Sequence, residues 1–130
     1  MTDASELPAL SEGQWEIMNV IWDQSACSVA DVWKVLNKRR GVSRNTVQTL
    51  IVRLEEKGWL NHREKDGGYL YFPRVSREDS QKSSVQRFIK IVFEGSSEGL
   101  VLTLLHGGAL SKSQAERIRK LIDSAGRKKP

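Results

Sequence analysis

The fold is decided by the stretch SRNTVQTLIVRLEEKGWL, residues 43–60. Its apolar positions follow the i, i+3, i+4, i+7 spacing of a helix that buries one side: Val47, Leu50, Ile51 and Leu54. Ser43 stands where a side-chain oxygen can cap the first turn, and Gly58 can adopt positive φ just past the last turn. The pattern predicts an amphipathic helix over residues 43–57.

The outer face of this helix carries the side-chain types that pair with base edges and phosphates in a major groove. They are Arg44, Asn45, Gln48, Thr49 and Arg53, and no acidic residue precedes Glu55. A solvated polar face is the alternative interpretation, and the surrounding sequence has to decide between the two.

Two more helices are predicted before this stretch. The first covers residues 11–23, where Ser11 and Gln14 have capping-box spacing and an aromatic and aliphatic stripe follows. The second begins after Ser28, and Gly41 makes the turn that leads into the helix 43–57. This order of helix, short glycine-containing connection and helix is typical of a helix-turn-helix.

A β-hairpin is predicted after Gly58. Residues 59–65 and 69–72 are rich in aromatic residues, and the turn signal Asp66-Gly67-Gly68 separates them. An isolated hairpin is marginally stable, so we expect it to pack on the helices through Leu60, Tyr71 and Phe72. Such a hairpin forms a wing, and its residues Arg63 and Lys65 are candidates for contact with DNA. A solvated turn is the alternative.

The remaining chain predicts three short helices, beginning after Ser76, covering the apolar run 100–105, and covering residues 111–123. We predict a mainly α protein with a DNA-binding domain at residues 1–75 and a helical dimerisation domain at residues 76–130. Three short helices cannot bury their apolar faces alone, so they fold onto the first domain or, the interpretation we favour, meet a second copy. The expected dimer residues are Val85, Phe88, Ile89, Val92, Leu104, Ile118, Leu121 and Ile122.

Charge and composition limit the classes of function that this protein can have. Residues 1–37 hold one basic and six acidic residues, whereas residues 38–65 hold eight basic and three acidic residues, so a polyanion would be attracted to the second segment. No signal sequence or membrane-spanning run is evident, which leads us to expect a cytoplasmic protein without membrane insertion. No catalytic, cofactor or metal motif is present. Cys27, the one cysteine, is expected to be a small buried residue; a reactive thiol is the alternative.

Five segments together resemble the BlaI/MecI penicillinase-repressor family, which includes CopY-type copper-responsive repressors. They are SEGQWEIMNVIW (11–22), SVADVWKVL (28–36), NTVQTLIVRLEEKGWL (45–60), YLYFPRVS (69–76) and LSKSQAERIRKLID (110–123). The resemblance implies a dimeric winged-helix repressor of dyad-symmetric DNA operators. It also implies that DNA meets the positions around Arg44, Asn45, Thr46, Gln48, Thr49 and Arg53.

The chain departs from the family pattern in two places. CopY-type members carry a C-terminal cysteine cluster for metal, and this chain has no cysteine after Cys27. Antibiotic-responsive members are cut at an Asn-Phe bond after a membrane sensor metalloprotease acts. The matching position here is Thr103-Leu104, so this proteolytic switch is one hypothesis and an unrelated inducing signal is the other. A winged-helix module that binds proteins instead of DNA is the alternative function, because fold alone does not settle function.

Overall fold

The computed structural model describes residues 3–128, which contain six α-helices and one two-stranded antiparallel sheet. The elements are α1 Glu12–Gln24, α2 Val29–Arg40, α3 Arg44–Glu56, β1 Leu60–Lys65, β2 Gly68–Pro73, α4 Arg77–Val92, α5 Ser97–His106 and α6 Lys112–Lys128. The chain forms two compact units, Met1–Val85 and Gln86–Pro130.

The first unit is built on capped helices around one apolar core. Ser11 accepts a hydrogen bond from the Gln14 amide while the Gln14 side chain accepts from the Ser11 amide, which completes the predicted capping box. Ser28 and Asp31 form the same reciprocal pair at the start of α2. The caps fix where each helix begins, and the buried faces of α1, α2 and α3 then meet. The fully buried side chains of these helices are Ile17, Met18, Ile21, Val32, Leu36, Val47, Ile51 and Leu54.

The hairpin closes the open side of this core. Its pairing runs from Leu60 opposite Pro73 to Lys65 opposite Gly68, so the connecting turn is Asp66-Gly67, with both residues at positive φ. Leu60 and Tyr71 are buried as predicted. Phe72 is only half-buried, because strand alternation turns it to the opposite face, so the expectation that it packs on the helices was wrong.

The start of α4 is attached to the first unit. The Trp22 indole N–H donates to the Val75 carbonyl at 3.0 Å. The Arg77 guanidinium donates to the Asn19 carbonyl at 2.8 Å and to the Asp23 carboxylate at 2.6 Å. Ser80 is fully buried. The first turns of α4 therefore belong to the unit Met1–Val85, whereas the domain division between residues 75 and 76 stays a prediction.

In its described residues, the second unit has helices but no core of its own. Ser111 and Gln114 form the predicted reciprocal cap before α6, and the apolar run 100–105 lies in α5. Among residues 86–126, whose side-chain exposure the structure describes, none is buried. Within the described residues, the structure has no helix with the length and apolar character needed to cross a membrane.

Candidate nucleic-acid interface

The orientation of α3 is fixed by its cap and its buried face. Ser43 Oγ accepts from the Thr46 amide at 3.1 Å and sets the first turn. Val47, Ile51 and Leu54 are completely buried, so they determine which side of α3 faces the core. The opposite side must face solvent, and it carries the six polar residues predicted to bind DNA. All six are exposed: Arg44, Asn45, Thr46, Gln48, Thr49 and Arg53.

Four of these six residues line one surface hollow, which we call the α3 hollow. Its residues are Asn45, Gln48, Thr49, Val52, Arg53 and Glu56. Arg44 and Thr46 lie outside it, on the first turn of the helix. Val52 and Glu56 were not predicted from the sequence, because an apolar residue and an acid are not signals for binding a polyanion.

The hydroxyl groups of both threonines on this face are already engaged. Thr46 Oγ1 shares a hydrogen bond with Ser43 Oγ at 2.8 Å, and Thr49 Oγ1 donates to the Asn45 carbonyl at 3.0 Å. In the described part of the chain, the side chains of Gln48 and Arg53 have no hydrogen-bond partner, so their donors remain available to a ligand.

The hairpin carries its two predicted DNA-binding residues separately from the α3 hollow. The Arg63 guanidinium lies over the Phe72 ring, 5.8 Å from its centroid, which orders an otherwise exposed side chain. Lys65 is exposed at the turn and lines a different hollow together with Ser28 and Asp66. The two hairpin residues therefore extend the basic surface without sharing the α3 site.

His62 joins the hairpin to the end of α3 and also contacts two tyrosines of the neighbouring strand. The His62 ring nitrogen Nδ1 contacts the Glu55 carboxylate, and the His62 ring centroid lies 4.5 Å from Tyr69 and 5.6 Å from Tyr71. Burial raises the pKa of the Tyr71 hydroxyl, and the charge of Glu55 raises it further. The contact between His62 and Glu55 fixes the hairpin relative to α3. No spacing in the sequence predicts this contact, because it joins a strand to a helix.

One member of the basic segment is neutralised locally. The Arg40 guanidinium donates to the Glu16 carboxylate from Nη2 at 2.8 Å and from Nε at 3.1 Å. These hydrogen bonds, followed by the charge of Glu16, raise the pKa of Arg40. The pair links the end of α2 to α1, and the charge left to attract a polyanion comes from the other basic residues of the segment.

Cys27 is a structural residue. It is fully buried and forms a β-bridge with Tyr71, whose amide donates to the Cys27 carbonyl at 2.7 Å. Burial, and after it the charge of Asp31, raises the pKa of the Cys27 thiol to about 11. The thiolate that reacts with oxidants and metals is therefore disfavoured, and the prediction of a small buried residue is confirmed. Within the part of the chain that the structure describes, no three metal-binding side chains lie together.

The residues predicted for dimerisation lie on α4, α5 and α6. All are exposed except the half-buried Ile89, and the most exposed are Leu121 at 69% and Ile122 at 61%. Thr103 and Leu104 lie within α5, where Thr103 Oγ1 donates to the Gly99 carbonyl at 2.8 Å. The predicted cleavage position is thus a helical peptide bond.

Three helices with a polar face on the third, followed by a two-stranded hairpin, define the winged helix-turn-helix class of DNA-binding proteins. The chain belongs to the penicillinase repressor family, whose model matches residues 10–124. That family is one of transcriptional repressors and not of enzymes, so the predictions of family and fold are confirmed and the enzyme class is excluded.

Similar proteins agree with this assignment. The methicillin resistance regulatory protein MecI of Mammaliicoccus sciuri is 28% identical over 88% of this chain and 93% of its own length. The penicillinase repressor of Bacillus licheniformis is 28% identical over 91% of this chain and 92% of its own length. The solution structure of the Bacillus licheniformis BlaI monomeric form with a half-operator matches with a TM-score of 0.51 at 35% identity, covering 57% of this chain and 90% of that one.

Proposed function

We propose that this chain is a cytoplasmic, homodimeric transcriptional repressor that places α3 in the major groove of a dyad-symmetric DNA operator. The observation that carries the proposal is the outer face of α3. It presents amide and guanidinium groups without partners among the described residues, on a helix whose other face buries Val47, Ile51 and Leu54. Such groups pair with adenine, guanine and phosphate, and a rigid helix holds them at fixed spacing.

The hairpin fits the same arrangement, because its basic residues can contact the DNA backbone. Arg63 and Lys65 are exposed beside a tight turn, and their charges need no particular base. Because His62 and Glu55 join the hairpin to α3, insertion of α3 into the groove would bring the hairpin with it. The Bacillus licheniformis relative was solved on a half-operator, and we infer a two-part operator for this chain as well.

The second copy is proposed from the apolar surface of the second unit. Val101, Leu105, Leu110, Ile118 and Ile122 line one groove of about 490 Å³, whose rim carries Lys112, Glu116, Arg119 and Asp123. A rim with both signs of charge is suited to pairing with itself about a two-fold axis. Such a dimer would supply the two α3 helices that a dyad-symmetric operator requires.

The release signal has two candidates. A membrane sensor metalloprotease could lead to cleavage between Thr103 and Leu104, which would separate α6 from the rest of the dimer surface. The bond lies inside α5, where the Gly107 amide donates to the Thr103 carbonyl at 2.8 Å, so α5 must first unfold locally. An unrelated signal requires no such opening.

DNA binding is tested by two single substitutions in the α3 hollow. Gln48→Ala and Arg53→Ala should each weaken binding to the DNA upstream of the protein's own coding region. A base contact should cost about 1–3 kcal/mol and relax specificity, whereas a phosphate contact should lower the salt slope by about one. Lys82→Ala is the matched control, since it removes a positive charge from exposed α4 surface. Unchanged affinity in both variants at matched salt would remove α3 from the DNA interface, whereas the absence of salt-dependent DNA binding by the unsubstituted protein would favour the protein-binding alternative.

The release signal is tested in the native cell. We expect cells exposed to a β-lactam to contain fragments cut between Thr103 and Leu104 if the proteolytic switch operates, detected by intact-mass measurement. Induction of the target genes while every chain remains whole would exclude proteolysis and leave an unrelated signal. An exposed-loop control cut, engineered at Gly107-Gly108, would show whether separating α6 is sufficient for release.

A further inference from the structure

Val52 is an uncovered apolar side chain in the middle of the proposed DNA-binding face. It is 38% exposed, although its neighbours Ile51 and Leu54 are completely buried. It lines the α3 hollow beside Gln48 and Arg53. The core therefore does not account for Val52, and a ligand that fills the hollow would cover it.

Thr49 adds a second apolar group to the same hollow. Its hydroxyl proton is already donated to the Asn45 carbonyl one turn earlier, and its methyl is the apolar group that it offers a ligand. Thr49 and Val52 are three residues apart and are therefore neighbours on the helix surface. Together they form what we call the methyl patch, with Gln48 and Arg53 lining the same hollow.

We propose that the methyl patch of Val52 and Thr49 recognises the C5 methyl group of a thymine in the operator half-site, an inference that rests on the proposed DNA binding. The thymine methyl is the apolar group that base edges offer in the major groove, and Thr methyls and other small apolar side chains contact it. Burial of one methyl group corresponds to about a four-fold gain in affinity.

The polar residues of the hollow set the chemical context of this thymine. Gln48 carries an amide that suits adenine, and Arg53 carries a guanidinium that suits guanine or a phosphate. The methyl patch lies on the same surface, so the thymine should be adjacent to the bases that these two residues contact. The hollow thus recognises one base position by shape and the neighbouring positions by hydrogen bonds.

The test removes the methyl group from the DNA and the valine from the protein separately. A DNA duplex that contains two half-sites is first obtained by selection from a random-sequence library with the full-length chain. Each thymine is then replaced by uracil, which lacks only the C5 methyl, at equivalent positions of both half-sites. We expect one replacement to weaken binding of the unsubstituted protein about four-fold or more per half-site.

The paired variants separate the methyl patch from general weakening. Val52→Ala should reduce the loss of affinity that this uracil causes, because less of the methyl patch then contacts the thymine methyl. Alanine is a good helix former, so α3 should survive. Arg53→Ala should weaken binding to the thymine and uracil duplexes alike and should keep their ratio. A thermal melt checks that both variants remain folded.

Two results would overturn the inference. If every uracil duplex binds within two-fold of its thymine parent, no methyl group is recognised. If the uracil penalty is equally large in Val52→Ala, the methyl group is recognised elsewhere. Failure to enrich any duplex over random DNA would instead remove the proposed DNA binding, and this inference with it.

Discussion

The two units of the chain differ in whether they bury their apolar side chains. Every side chain that is buried in the described residues belongs to Met1–Val85. In the described part of Gln86–Pro130, by contrast, even Leu121 and Ile122 are more than half exposed. Both units nevertheless consist of well-capped helices, as the reciprocal caps at Ser11 and Ser111 show.

This contrast separates helix formation from stability. Capping and local spacing decide where a helix begins and ends, but burial of apolar surface supplies most of the free energy that holds helices together. The first unit has that burial within one chain. The second unit would obtain it from another copy, so its stability should depend on protein concentration.

The largest effect is expected when an isoleucine side chain is shortened to alanine, and the same substitution can be compared in the two units. Ile51→Ala removes a fully buried side chain and should lower the free energy of unfolding by about 2–5 kcal/mol at any protein concentration. Ile122→Ala, at an exposed position of α6, should have a smaller effect that grows as the protein is concentrated. Urea denaturation at two concentrations measures both. Equal, concentration-independent losses would mean that the second unit is not an assembly surface.

Assembly itself should respond to a charge placed on the apolar face of α6. Ile118→Asp should give monomers by sedimentation and lower affinity for a full operator about 100-fold, since linking two weak half-sites raises affinity by about that factor or more. Affinity for a single half-site should stay the same. Lys120→Asp, at an exposed position outside the apolar groove, is the control and should remain dimeric. A dimeric Ile118→Asp protein would contradict the proposed interface.

A smaller effect on stability is expected when chains that end at different residues of the first unit are compared. A chain ending at Val85 keeps the Arg77 contacts to α1 and the buried Ser80, whereas one ending at Ser76 loses them. The shorter chain should be less stable by about 1–2 kcal/mol, after discounting the partly exposed Arg77–Asp23 pair. Thermal melts of the two chains provide the comparison. Equal melting temperatures would place the boundary of the folding unit before α4.

The elements that the sequence predicts well depend on neighbours a few residues apart. Ser11 with Gln14, and Asp66 with Gly67, specify a helix start and a hairpin turn by chemistry contained in a short segment. The orientation of α3 was predictable for the same reason, because three buried residues at helical spacing leave one side for solvent.

Contacts between distant segments could not be predicted in this way. Arg77 contacts Asp23 across 54 residues, and Arg40 contacts Glu16 across 24, because long side chains reach whichever carboxylate the packing brings near. The role of Val52 was missed for a different reason. Its exposure depends on the exact rotation of α3 in the core, and an apolar residue in the sequence suggests burial.

The indole groups of the first unit have a spectroscopic consequence. All four tryptophans lie in Met1–Val85, and three donate their ring N–H to a backbone carbonyl: Trp22 to Val75, Trp33 to Val42 and Trp59 to Pro8. Intrinsic fluorescence therefore reports on this unit alone, whereas far-ultraviolet circular dichroism sums the helices of both. If the two units unfold independently, the fluorescence denaturation curve should show only the transition of the first unit. The circular dichroism curve should then show two transitions.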